Sequence, residues 1–221
     1  VDFDKDATEV KSLLAGPLSG EFYDESYFGG RLKSSYRNYG PGSWAGALAC
    51  MIGQYLKPSD VLDVGCAYGF VVDQLEKVLV PATGFDISPF AVSQASSNHV
   101  WVGSSDRPAS YRQCDLLLGA EFVSHLNSKQ AATFFRLGLK FAKRMLLLIT
   151  TDGNPYSDGS KPAVDNNDLS NLNLRPMWWW HDLAQQCGWE IGDAADFNND
   201  QRSLSMGWGN RFMLLERPKH T

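Results

Sequence analysis

A chain of 221 residues, 43% of them hydrophobic, is long enough to bury the core of one α/β domain and too apolar to stay disordered. Its formal net charge of −5 argues against a nucleic-acid backbone as the main partner. No apolar run approaches the roughly 20 residues that span a bilayer, and no N-terminal signal peptide is visible. Cys50, Cys66, Cys114 and Cys187 stand far apart with no CxxC pair. They read as reduced thiols of a cytoplasmic protein, not as a disulfide frame or a zinc site.

The segment 1–42 is rich in Gly, Tyr and Ser, shows no period and reads as irregular. Ser43 caps a helix over 43–56, whose buried face is Trp44, Leu48, Met51, Ile52 and Tyr55, and Pro58 ends it. Residues 61–64 form the first strand, and Phe70, Val71, Leu75, Val78 and Leu79 mark one face of the next helix. A second strand follows over 81–86. Ser88-Pro89 then opens a helix, with serine as N-cap and proline at the first helical position. Strands are expected at 99–103 and 114–118, a helix up to about residue 142, and a fifth strand over 145–150. A polar loop over 152–175 leads to Pro176, which opens a helix carrying Trp178, Trp179 and Trp180. Residues 189–197 and 211–215 are expected to be a final antiparallel pair of strands. Strands alternating with helices predict one doubly wound, mostly parallel sheet spanning 1–221, with no internal repeat.

Within Asp60-Val61-Leu62-Asp63-Val64-Gly65-Cys66-Ala67-Tyr68-Gly69-Phe70, an apolar strand ends in an acid and a small-residue turn opens a helix. That is how an α/β sheet presents its first strand to a nucleotide-like ligand. Asp63, two residues before Gly65, would repel a phosphate but attracts a cation or accepts hydrogen bonds. Asp86 ends the second strand, 23 residues after Asp63. An acid there faces the ribose of an adenine nucleotide; it also fits an ordinary helix N-terminus. The dehydrogenase fingerprint requires glycine where Phe70 stands.

The first block resembles motif I of class I S-adenosylmethionine (SAM) dependent methyltransferases, usually Asp/Glu-x-Gly-x-Gly-x-Gly, with Ala67 in place of the middle glycine. The block from Cys114 to Leu126 resembles that family's fourth-strand segment, and 21–30 with 36–40, and 168–176, resemble segments of small bacterial methyltransferases that often act on sugars or other small metabolites. The resemblance implies a Rossmann-like sheet of about seven strands, one of them antiparallel, with helices on both faces. It implies SAM as cofactor, in preference to NAD, and S-adenosylhomocysteine (SAH) as product. Asp63 then acts on the cofactor's amino group, directly or through water. Gly65, Cys66, Ala67 and Gly69 let the backbone approach, and Asp86 and Ile87 meet the ribose. Ser104, where the family has an acid, and Ser105 reach the adenine, and Gly119 lies at the sulfonium. Ser104 and Ser105 equally fit a plain polar turn.

The acceptor side carries more alternatives. Glu121 and His125 are four apart, the spacing of one helical face. His125 fits a general base taking a proton from a substrate hydroxyl, or a structural histidine bonded to a backbone carbonyl. Asn171 stands where the related segment carries histidine, so a base role falls to His125 or His181, or vanishes. Tyr27, Tyr36 and Tyr39 form either a lid over cofactor and substrate or an aromatic patch on the core. Arg31 or Arg37 meets the methionine carboxylate or an anionic substrate. Three adjacent tryptophans cannot share one helix face, which offers Trp179 to the acceptor pocket. The expected whole is a small-molecule O-methyltransferase with no metal and no nucleic-acid or membrane partner. Residues 1–42 are its lid and 152–175 its acceptor-side loop, and a homodimer is left open. N-methylation of a small amine and a SAM-binding subunit without activity are the alternatives.

Overall fold

The structure, a computed structural model, describes residues 18–29, 40, 42–151, 168 and 170–219. Its centre follows from apolar runs that have no polar face. In β1 (Val61–Val64) all four residues are buried. Val61 packs into one core cluster, while Leu62 and Val64 pack into another on the opposite face. A strand buried on both faces is stable only between two layers of helices, and this dictates a doubly wound sheet.

Around β1 lie β2 (Ala82–Asp86), β3 (Val100–Val102), β4 (Cys114–Ala120), β5 (Ala142–Leu148), β6 (Glu190–Ile191) and β7 (Phe212–Glu216). Their order is β3-β2-β1-β4-β5-β7-β6. Only β7 runs antiparallel, against both β5 and β6. On one face, Leu48 and Met51 of α2 (Ser43–Met51) pack with Val72 and Leu75 of α3 (Phe70–Lys77). On the other, Phe134 and Phe135 of α5 (Ser128–Phe141) pack with Trp180 and Ala184 of α6 (Met177–Gln186). Four short helices complete the described set: α1 (Glu25–Phe28), α4 (Pro89–Ser93), and the pair α7 (Ala195–Asn199) and α8 (Gln201–Ser205) ahead of β7.

Several expectations need correction. The segment before residue 42 is not wholly irregular, because Asp24 caps α1 through the amides of Ser26 and Tyr27. The helix opened by Ser43 finishes in a π turn, Ile52–Leu56. Val78 and Leu79 lie beyond the end of α3, and Leu79, at φ 63°, is 91% exposed rather than on a core face. β5 begins directly after α5, three residues earlier than its apolar run. Arg144 disguises that start; its guanidinium reaches out to the Asp115 carboxylate at 2.9 Å and the Leu56 carbonyl at 3.1 Å. Of 189–197, only Glu190–Ile191 is strand. The Asp193 carboxylate then accepts from the Ala195 amide, and α7 buries Phe197 under Tyr55.

Gly84 is where β2 meets the turn that follows β1. A Cβ there would lie 2.8 Å from Cys66 Cβ and 3.0 Å from the Asp63 carbonyl oxygen. Gly84→Ala is expected to destabilise the chain by about 1–3 kcal/mol by forcing that turn outward, as measured by urea denaturation.

Candidate active site

A cavity of about 490 Å³ opens at the carboxyl ends of β1, β2 and β4, the edge at which open α/β sheets bind ligands. Its floor is the turn after β1. Gly65 adopts φ 73°, and its amide and that of Cys66 both donate to the Phe85 carbonyl of β2. Ala67, where motif I usually has glycine, is itself left-handed at φ 48°. That conformation costs a non-glycine residue roughly 1–2 kcal/mol. The Ala67 amide donates to Asp86 Oδ2 at 2.8 Å, which holds it there. The Ser88 amide donates to the other oxygen, Oδ1, also at 2.8 Å.

Two buried carboxylates therefore face one cavity. Asp63 is 2% exposed and accepts no hydrogen bond among the described residues. Burial, and then the neighbouring Asp86, hold its carboxyl well above the usual carboxylate range. Burial also raises Asp86, opposed by the Ser88 and Ala67 amides. The Cys66 thiol is pushed up by burial and by both carboxylates, so it stays neutral and is no nucleophile. An unpartnered buried carboxylate is costly in a low dielectric and calls for a cation. A ligand carrying an ammonium or sulfonium group fits that requirement.

The opposite wall carries polar groups on apolar backing. His125 sits in a 3-10 turn, Val123–His125, and its Nδ1 lies 2.8 Å from Ser170 Oγ. Ser170 donates its hydroxyl to Asp168 Oδ1 at 2.6 Å and its amide to the same oxygen at 2.9 Å. The Tyr27 hydroxyl is 2.9 Å from Ser170 Oγ and 3.2 Å from Asp168 Oδ2. Glu121 is left-handed at φ 54° and exposed, and it pairs with Arg211. Glu121 and His125 thus do not share a helix, because the strand end and a 3-10 turn separate them.

Of the expected site residues, Asp63, Gly65, Cys66, Ala67, Asp86, Ile87, Ser104, Ser105, Tyr27, Glu121 and His125 line the cavity. Four do not. Gly69, at φ 74°, is the N-cap of α3 behind the floor. Gly119 pairs with Leu147 beneath Phe122, which leaves Ala120 at the wall. Asn171 is buried and accepts from the Ser124 hydroxyl at 2.8 Å. Trp179 packs against Arg175 and edge-on to Trp180, which is fully buried, while Trp178 is half exposed. Arg31, Tyr36, Arg37 and Tyr39 lie outside the described residues. His181 is on α6 and away from the cavity. Sequence reasoning missed Trp44, Phe122 and Trp208 as lining residues, Ser170 as the partner of His125, and Asp168 as the partner of Ser170. Beside the resemblance of 168–176, the local signal for the last two was the Asp-x-Ser spacing, which returns a serine to its own aspartate.

No protein-family model and no curated protein sequence matches the chain. Solved structures match it in fold. A TehB-like SAM-dependent methyltransferase from Corynebacterium glutamicum superposes with TM-score 0.55 and 16% identity, covering 78% of this chain and 88% of its own. Magnesium protoporphyrin IX methyltransferase from Synechocystis, solved with bound SAM, gives 0.60 and 12% over 99% and 100% of the two chains. An O-methyltransferase from a trans-AT PKS multienzyme of Brevibacillus brevis, solved with SAH, gives 0.55 and 15% over 80% and 73%. The chain therefore has the class I SAM-dependent methyltransferase fold.

A buried carboxyl with a raised folded-state pKa binds its proton more tightly folded than unfolded. The ligand-free chain should thus lose stability as pH rises out of the ordinary carboxylate range. Asp63→Asn is expected to raise the ligand-free melting temperature at pH 7 by roughly 2–4 °C. The gain should vanish near about pH 4, where the unfolded carboxyl also takes up its proton. Thermal melts across that range check it.

Proposed function

We propose that this protein is a SAM-dependent methyltransferase whose acceptor is a hydroxyl of a small sugar-like or natural-product metabolite. The observation that carries the reading is the pair of buried carboxylates, Asp63 and Asp86, facing one cavity at adjacent strand ends. Asp63 neutralises cationic charge on the cofactor. The oxygens of Asp86 retain acceptor capacity beyond the two backbone amides they hold, and they receive the ribose hydroxyls. Ser104 and Ser105, after β3, border the adenine end, and Gly65, Cys66, Ala67 and Ile87 form the backbone floor. Tyr27, with Phe28 and Tyr68 in one aromatic cluster, covers the site from the N-terminal side. The lid expected of 1–42 and the acceptor-side loop expected of 152–175 fall largely outside the described residues.

Bound SAM supplies a methyl group already activated by sulfonium charge. The chain's work is then alignment, exclusion of water and handling of one proton. With SAM bound, His125 would hold the acceptor hydroxyl in line and take its proton. Glu121, held by Arg211 at the rim, contacts the acceptor. The solved O-methyltransferase of like fold supports the choice of oxygen. Four free thiols support a reducing, cytoplasmic setting. No described helix is long and apolar enough to cross a membrane.

Calorimetric titration is expected to show micromolar or tighter binding of SAM and SAH and none of NAD. Asp86→Ala should weaken SAM by about tenfold or more, or roughly 1.4 kcal/mol. Unchanged affinity in that variant would remove this map of the cofactor site. Once an acceptor is in hand, His125→Ala should lower kcat by about 100-fold with little change in SAM affinity. Full activity would favour an amine acceptor.

A further inference from the structure

The chemistry of a histidine base depends on which ring nitrogen holds its proton, and here the surroundings decide it. Ser170 Oγ has one proton and two lone pairs. Its shortest contact is 2.6 Å, to Asp168 Oδ1. A carboxylate only accepts, and a charge-assisted bond outcompetes a neutral one, so the serine proton is committed to Asp168. Asp168 is buried and makes no ion pair among the described residues; its other donors are the Ser170 amide and the Tyr27 hydroxyl. Ser170 Oγ is thereby left as an acceptor toward His125, while the single Tyr27 hydroxyl proton is divided between Asp168 Oδ2 and Ser170 Oγ. His125 Nδ1, at 2.8 Å, can bond to it only as a donor.

We infer that Asp168 and Ser170 are positioning residues that hold His125 in its Nδ1–H form and leave Nε2 as the base toward the acceptor. The inference rests on the methyltransferase reading for its purpose, though not for its geometry. Nε2 makes no hydrogen bond among the described residues, and the ring lines the cavity. Tyr23 meets that ring edge-on at 6.2 Å between centroids. When Nε2 takes the acceptor's proton, the C–O bond forms as the methyl–sulfur bond breaks, and the sulfur keeps the electron pair. The positive charge then rests on the imidazolium, whose Nδ1–H already points through Ser170 to the Asp168 carboxylate. The chain of bonds joins three distant segments: α1 through Tyr27, the turn after β4, and residues 168–173. The last is docked further by the Asn173 amide on the Ser124 carbonyl and the Ser124 hydroxyl on Asn171.

The test is ring nitrogen NMR on the full, nitrogen-15-labelled chain, ligand-free and saturated with SAH. The chain has four histidines, and His125→Gln assigns the signal. The expected result at neutral pH is a protonated Nδ1 and a bare Nε2, the reverse of the preference of free histidine. Ser170→Ala should shift the ring toward Nε2–H. Asp168→Asn, which keeps the shape but adds a donor, should do so in part. The inference is overturned by Nε2–H in the unmodified chain, or by the same tautomer in both variants and the parent. The parent measurement decides the matter even if a variant fails to fold. Calorimetry with SAH separates the two readings. Its Kd should stay within about twofold in both variants, since neither residue touches the carboxylate floor. Failure of SAH to bind the parent would defeat the methyltransferase reading and leave the tautomer result standing.

Discussion

Asp86 is the constraint on which the candidate site depends. It ends β2, yet one oxygen holds the Ala67 amide of the turn after β1 and the other holds the Ser88 amide that begins α4. Two loops from neighbouring parallel strands are thereby fixed to one buried side chain. The register supports this, since Asp63 pairs with Gly84 and Val64 with Phe85. Without a small residue at Gly84, the turn could not fold back over β2, and Ala67 could not keep its left-handed backbone within reach of the carboxylate. The price of the arrangement is a second buried acid, Asp63, which burial and Asp86 both disfavour in its charged form. Sites that bind a charged ligand often hold such groups at a cost to the empty protein.

Charge is divided cleanly across the cavity. The floor carries two carboxylates close to backbone amides and is suited to cationic and hydroxyl groups. The far wall carries His125, backed by Ser170, Asp168 and Tyr27, with the Glu121–Arg211 pair at the mouth. Phe122 lies between the halves; a Cβ on Gly65 would strike its ring at 2.6 Å. Trp44 and Trp208 add apolar wall. A ligand spanning the cavity would thus have its polar ends placed by different elements and its middle dried by aromatic rings, which strengthens each polar contact.

Much of this was legible along the chain because the signals are local. Apolar runs bounded by breakers located the central strands. Ser88-Pro89 marked its helix by capping chemistry, and the spacing of Asp63, Gly65 and Asp86 pointed to the ligand edge of the sheet. Signals failed where a charged residue serves a buried element or where tertiary packing overrides a period. Arg144 hid the start of β5, Leu79 left the helix it seemed to continue, and Phe197 belongs to a helix within an expected strand. Glu121 and His125 have helical spacing but no helix between them.

The sequence by itself determined the α/β class, the order of the five parallel strands and the helices between them, and the acids at the ends of β1 and β2. Each of these follows from residues within a few positions of one another. Only the tertiary structure decided that Ala67 is held by Asp86, that Gly69, Gly119, Asn171 and Trp179 stand back from the cavity, and that His125 meets Ser170, itself bonded to Asp168. Those pairings join residues 19 and 45 positions apart. Contacts of that span are chosen by chain crossing and side-chain packing, which leave no periodic trace in the sequence.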